Sequence, residues 1–219
     1  MKTTFVFVGF ILLATAVAQQ VDEPRPNGVI YGIALGQDGQ PAKGIGLTAS
    51  PLGVGLATVL PHVKTNDAGE YRFPNIPWWG KYTVYAEDED AGYSIFSTGA
   101  GRSEPSEVEL TPEHREAELK VYLPPRAGFV QIHLTNRRTG GGISGMRVAV
   151  MSMENPELPL FAMSCSSNHV ILVPPDKNLL LHVNSDGFRE WDQSAGRGKP
   201  LQVPSGTRLA LAIDLEPSN

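Results

Sequence analysis

Lys81-Tyr82-Thr83-Val84-Tyr85-Ala86-Glu87 is the stretch that decides the fold class. Tyr82, Val84 and Ala86 fall on one face, and a period of two is that of a strand with one side buried. Working outward, the same grammar continues. Upstream, Val63 to Thr65 enters the turn Asn66-Asp67-Ala68-Gly69 and Tyr71 to Phe73 leaves it, with Asn75 to Gly80 as a proline-containing loop. Gly44 to Ser50 sets Ile45, Leu47 and Ala49 on one face, and Gly28 to Leu35 precedes the turn Gln37-Asp38-Gly39-Gln40-Pro41. Asp-Gly supplies the positive φ that tight turns require. Downstream, Tyr93 to Ser97 and Glu107 to Leu110 read as short strands, and Pro112 to Glu118 offers a single turn. Glu118 to Leu123 then directs Leu119, Val121 and Leu123 inward.

Pro124-Pro125-Arg126-Ala127-Gly128 follows, and a proline pair makes a short stiff spacer that no sheet ladder continues through. Beyond it the pattern repeats. Gly128 to Thr135 places Val130, Ile132 and Leu134 on one face, with Phe129, Gln131 and His133 on the other. The glycines from Gly140 to Gly145 turn the chain into Met146 to Met151. Val170 to Val173, the loop Pro174 to Asn178, and Leu179 to Val183 make a strand, a loop and a strand. Leu209, Leu211, Ile213 and Leu215 alternate inward in the last strand. Gly28-Val29-Ile30 matches Gly128-Phe129-Val130, and Pro112 with Leu119, Val121 and Leu123 matches Pro204 with Leu211, Ile213 and Leu215. With 23 Gly and 18 Pro punctuating short strands, the expectation is all-β: two tandem β-sandwiches, the second a divergent copy. One larger sandwich with a central loop is the alternative.

The N-terminus has its own signature. Lys2 precedes an apolar run from Phe5 to Leu13, and small residues surround Ala16 and Ala18. This is the layout of a secretory signal peptide cleaved after Ala18; a retained anchor would need roughly 20 apolar residues. The expected organisation is signal peptide 1–18, a flexible segment 19–26, a first sandwich 27–124 and a second 125–219. No later stretch is apolar enough to span a bilayer, so no membrane insertion is expected after cleavage. Without Lys2 the balance is 17 basic against 23 acidic residues, with no basic stripe, so nucleic acid is not an expected partner. Cys165 is the only cysteine and has no internal disulfide partner. The chain carries no Asn-x-Ser/Thr sequon, which fits a bacterial source.

The first half carries a specific combined pattern. Gly28-x-Ile30 leads to Asp38-Gly39-Gln40-Pro41-Ala42-Lys43-Gly44-Ile45-x-Leu47, then to Thr65-Asn66-Asp67-Ala68-Gly69-Glu70-Tyr71-x-Phe73-x-x-Ile76-Pro77 and Gly80-x-Tyr82-x-Val84. From Asn27 to Leu123 this resembles the carboxypeptidase regulatory-like domain, a seven-stranded Greek-key sandwich of the transthyretin type. Trp78-Trp79 departs from the pattern, which usually has a shorter or smaller connection there. The second half resembles the family loosely, through Pro174-Pro175, Asp186-Gly187-Phe188 and the final strand. The resemblance implies a non-catalytic folding, spacing or binding module of an exported or surface protein; related sandwiches bind carbohydrate, an analogy of fold alone.

Catalytic motifs are missing from the sequence. None of His62, His114, His133, His169 and His182 has Glu three residues on, and His-Glu-x-x-His does not occur, so the zinc signatures of peptidases are absent. His133 and His182 lie within strands of the second half, where they could approach each other. Gly142-Ile143-Ser144-Gly145 is one residue short of a nucleophile elbow and reads as a hairpin turn. Cys165 and His169 invite a thiol–imidazole reading, which nothing in the sequence orients. The acidic run Glu87-Asp88-Glu89-Asp90 is the best calcium candidate, though it lacks spaced ligands. No cofactor and no metal site is expected.

The candidate ligand-binding residues are Trp78, Trp79, Lys81 and Trp191. Adjacent strand-like residues point to opposite sides, so one ring of Trp78-Trp79 is expected to cap the core and the other to reach solvent. An exposed indole stacks on sugars or anchors a protein partner. The expectation is a secreted or extracytoplasmic binding or adhesion module of a bacterial envelope, with a polysaccharide or an envelope protein as partner. The alternative is a structural spacer or assembly domain without a ligand of its own.

Overall fold

The computed structural model describes residues 27–52, 61–77, 79–94, 106–193 and 199–218. The expected leader at 1–18, the expected segment 19–26 and Trp78 lie outside them. Fourteen strands and no helix make up the described chain. They are β1 (Gly28–Leu35), β2 (Gly46–Pro51), β3 (His62–Lys64), β4 (Glu70–Ile76), β5 (Gly80–Ala86), β6 (Ser106–Leu110) and β7 (Glu116–Tyr122), then β8 (Gly128–Asn136), β9 (Gly145–Ser152), β10 (Asn155–Ser166), β11 (Val170–Val173), β12 (Leu179–Asn184), β13 (Trp191–Asp192) and β14 (Arg208–Leu215).

The strands form four sheets, in the orders β4-β1-β7 and β3-β2-β5-β6 in one half and β11-β8-β14 and β10-β9-β12-β13 in the other. The two halves are the same arrangement, strand for strand. Register confirms the match seen in the sequence. Leu119 stands opposite Gly32, four residues into β1, and Leu211 stands opposite Ile132, four residues into β8. In each half the chain crosses between the two sheets four times, and the first and last strands lie side by side and parallel.

Alternation puts one row of each strand into a dry core. In the first half Ile30, Leu47, Phe73, Ile76, Tyr82 and Leu110 are almost wholly buried. In the second, Val130, Ile132, Val148, Leu181, Val183 and Ile213 fill the same space. Each large apolar side chain buried this way stabilises the fold by about 1.5–3 kcal/mol. With no disulfide among the described residues, these rows are the main source of stability.

Several boundaries differ from the sequence reading. β4 continues through Pro74 to Ile76, so the aromatic connection shrinks to the residues between Ile76 and Gly80. Pro74 is tolerated because β4 is an edge strand, where a missing N–H leaves no ladder bond broken. Tyr93 makes a single bridge to Asp88, and 95–97 fall outside the described residues. Leu209 is exposed, on an edge strand of its sheet. β10 and β13 are strands that the sequence did not announce.

The link between the halves is held on both sides. Ala127 N–H donates to the Gly92 carbonyl (2.9 Å), and Gly206 N–H donates to the Ala127 carbonyl (3.1 Å). Phe129 lies against Gly92, where an added Cβ would sit 3.1 Å from the ring, and the Arg208 guanidinium lies over that ring at 4.5 Å from its centre.

Candidate functional site

The aromatic loop comes first. β4 and β5 end on either side of it, and Trp79 is half-buried, packed on the first-half core with its ring near Gly28. Lys81, two residues on, is exposed at the start of β5. Trp191 is half-buried in β13 against the core of the second half. Trp79 and Trp191 therefore belong to different cores, and each has a body that packs and an edge that meets solvent.

The acidic run is organised from within. Gly46 N–H donates to Asp88 Oδ2 (3.0 Å) and Ala91 N–H to Asp88 Oδ1 (3.1 Å). Asp88 and Tyr93 exchange backbone hydrogen bonds at 2.8 Å in both directions, and Gly92 takes a φ of 86° to close the turn. Glu87 accepts the Thr48 hydroxyl at 2.9 Å. Since that hydroxyl has one proton, the contact of Thr48 with His62 Nδ1 (3.1 Å) requires the imidazole to donate. Glu87, Thr48 and His62 thus form a chain of bonds pinning β5, β2 and β3 together. His62 is not placed to take a proton from Thr48, so this cluster has the order of a brace and not of an activated hydroxyl.

The histidines of the second half do not meet. His133 is exposed on β8 and His182 lies on β12, in the opposite sheet. Each stands on the outward row of its strand, so the whole core separates them. His182 has Asp192 at 3.2 Å from Nε2 and Glu190 at 3.6 Å from Nδ1; carboxylates on opposite ring nitrogens cannot share one metal ion with it. Among the described residues no group of three or more His, Cys, Asp or Glu is placed to hold a metal.

A cleft of about 730 Å³ lies at the glycine-rich end of the second half. Asn136 comes from the end of β8, Ser144 from the β8–β9 connection, Arg147 from β9, and Asn184, Asp186 and half-buried Phe188 from the end of β12 and the turn after it. Two motifs weighed for catalysis, Ser144 and Cys165, also line it. Ser144 sits in hairpin geometry, its carbonyl accepting Ser167 N–H at 2.9 Å. Burial raises the Cys165 pKa, which holds it as the weakly nucleophilic thiol. Cysteine and serine are therefore wall atoms of this cleft. The cleft escapes a sequence reading because its walls come from three segments far apart in the chain; only Asp186-Gly187-Phe188 and the glycine cluster hint at it.

No family model matches the sequence, and no curated protein does. Among solved structures the chain is similar to the Bacillus anthracis TIE protein at 14% identity, over 87% of this chain and 34% of that one, with a TM-score of 0.35. A streptococcal ancillary pilin gives 15% identity, 88% and 62% coverage and a TM-score of 0.36. The minor pilin of Streptococcus agalactiae gives 12%, 88% and 97%, and 0.33. The chain spans about a third of the first of these proteins. Similarity of this size transfers neither ligand nor activity to the present chain.

Proposed function

We propose that the chain is a non-catalytic, extracytoplasmic binding and assembly module of a bacterial envelope, of the carboxypeptidase regulatory-like kind. The observation that carries this reading is the second-half cleft. It brings amide, carboxylate and guanidinium groups (Asn136, Asn184, Asp186, Arg147) around the half-buried ring of Phe188. A few convergent polar groups beside an apolar patch fix the orientation of a small polar ligand. An envelope saccharide has that chemistry, offering hydroxyls to the polar groups and a CH face to the ring. The Trp79–Lys81 loop is the secondary contact, on a different half.

The test is a pull-down of the protein on a panel of insoluble polysaccharides, repeated with Arg147→Ala, Asp186→Ala and Trp79→Ala. Retention lost at least tenfold in the Arg147 and Asp186 variants, with Trp79→Ala less affected, is the expected result. Retention unchanged in both cleft variants would sink the cleft; loss in Trp79→Ala alone would move the site to the aromatic loop. A ligand-free spacer is favoured by one feature, the two-sided pinning of Ala127 between Gly92 and Gly206, which fixes the link between the halves. No retention on any polysaccharide would select that reading.

A further inference from the structure

β10 is an edge strand of twelve residues, bonded only to β9 among the described strands. Its outer edge presents a row of backbone donors and acceptors, and natural sheets ordinarily blunt such edges with charge, proline or brevity. The other seven edges among the described strands are blunted. β3 is three residues long and carries His62 and Lys64; β4 carries Glu70 and Arg72; β6 carries Glu107 and Glu109; β7 carries Glu116, Glu118 and Lys120; and β14 carries Arg208 and Asp214. β11 has four residues and β13 two. β10 is the longest of them; Pro156, Glu157, Pro159 and two register slips blunt its first half, but from Phe161 to Ser166 it holds neither charge nor proline. Its position in the fold is that of β3, so this edge is guarded in one half and open from Phe161 to Ser166 in the other.

The side chains along this open stretch are neutral as well. From Phe161 to Ser166 the strand is regular, each residue pairing in step with β9. Ala162, Ser164 and Ser166 form a small neutral outer row, while Phe161, Met163 and Cys165 face the core but remain only half-covered. At the bulged end, where register slips between Asn155 and Phe161, Leu158 and Leu160 are exposed at 66% and 40%, with Met153 beside them at 48%.

We infer that β10 pairs antiparallel with β10 of a second copy, joining the two four-stranded sheets into one. The charge pattern chooses this occupant. A neutral edge offers nothing to select an acidic or basic peptide, whereas self-pairing brings no like charges together. A dyad at Met163 sets Ala162 opposite Ser164 of the second copy and Phe161 opposite Cys165. This inference does not depend on the cleft or on any ligand.

The experiment is sedimentation equilibrium of protein expressed with its own N-terminal segment and recovered after export, so that any leader has been removed. Wild type is expected to show a concentration-dependent monomer–dimer equilibrium. Ala162→Lys places two cations at diagonal positions across the dyad, where like charges repel, and should weaken dimerisation at least tenfold. Because Ala162 is exposed, the thermal midpoint of dilute monomeric protein should stay unchanged, which separates lost pairing from lost folding. Mixing A162K with A162E should restore a mixed dimer. A wild type that stays monomeric up to its solubility limit, or a dimer that A162K leaves intact, would overturn the inference.

Discussion

At Tyr71, one hydroxyl ties two strands that do not neighbour each other. β4 and β7 lie on either side of β1, yet Tyr71 Oη donates to the Leu119 carbonyl at 2.7 Å. Gly32 makes this reach feasible: a Cβ there would lie 2.0 Å from the same carbonyl oxygen, so any side chain would push β7 away. Burial, and secondarily the Glu118 carboxylate, hold the Tyr71 phenol well above the ordinary value of 10.0. The folded chain therefore resists ionisation that the unfolded chain accepts. The corresponding stability is present in full below pH 10.0 and is lost as the pH climbs above it. Tyr71→Phe is expected to cost about 1 kcal/mol at neutral pH, the net worth of a hydrogen bond. It should also flatten the alkaline decline, so that urea midpoints of the two proteins converge by about pH 11.

At the scale of an element, the β5–Tyr93 turn depends on Asp88 more than on its run of acids. Both carboxylate oxygens accept backbone N–H groups, one from Gly46 in β2 and one from Ala91 in the turn. Lys64 is 3.9 Å away and largely exposed, so it contributes little beside these bonds. Asp88→Ala is expected to destabilise the protein by about 2–3 kcal/mol, since hydrogen bonds to charged groups are each worth about 1.5–3 kcal/mol. Glu89→Ala and Asp90→Ala, whose side chains are exposed, should change the denaturation midpoint by less than about 0.5 kcal/mol. Equal effects at all four acids would contradict the internal role of Asp88. The turn was legible as a turn from Glu87 to Gly92, but its internal bonding was not, because Gly46 lies some forty residues upstream.

At the scale of the whole molecule, Phe129 decides whether the halves unfold together. It packs with Ala127 and Leu172 in a small cluster apart from both main cores, between Gly92 of the first half and Arg208 of the second. Phe129→Ala removes the ring from this junction at a cost of about 3–5 kcal/mol. Calorimetry is expected to show one cooperative transition for wild type and two resolved transitions for the variant. A single transition displaced to lower temperature would mean that the link itself, pinned through Ala127, suffices for coupling.

The sequence by itself determined the all-β class, the duplication and most of the buried rows. Tyr82, Val84 and Ala86, or Val130, Ile132 and Leu134, declare their face through a period of two that local chain geometry imposes. It also pointed to the half-buried Trp79 and the exposed Lys81, because an aromatic in a turn stands out in the chain. Tertiary structure alone decided what is assembled from distant segments: the cleft of Arg147, Asn184, Asp186 and Phe188, the brace of Glu87, Thr48 and His62, and the separation of His133 from His182. It alone exposed β10 too. Pro156 and Pro159 hide that strand in the sequence, and its outer row of Leu158, Leu160 and Ala162 lacks the polar alternation that marks a solvent face. A strand is recognised locally by which side is buried; whether its edge is covered depends on which other strand the fold lays beside it.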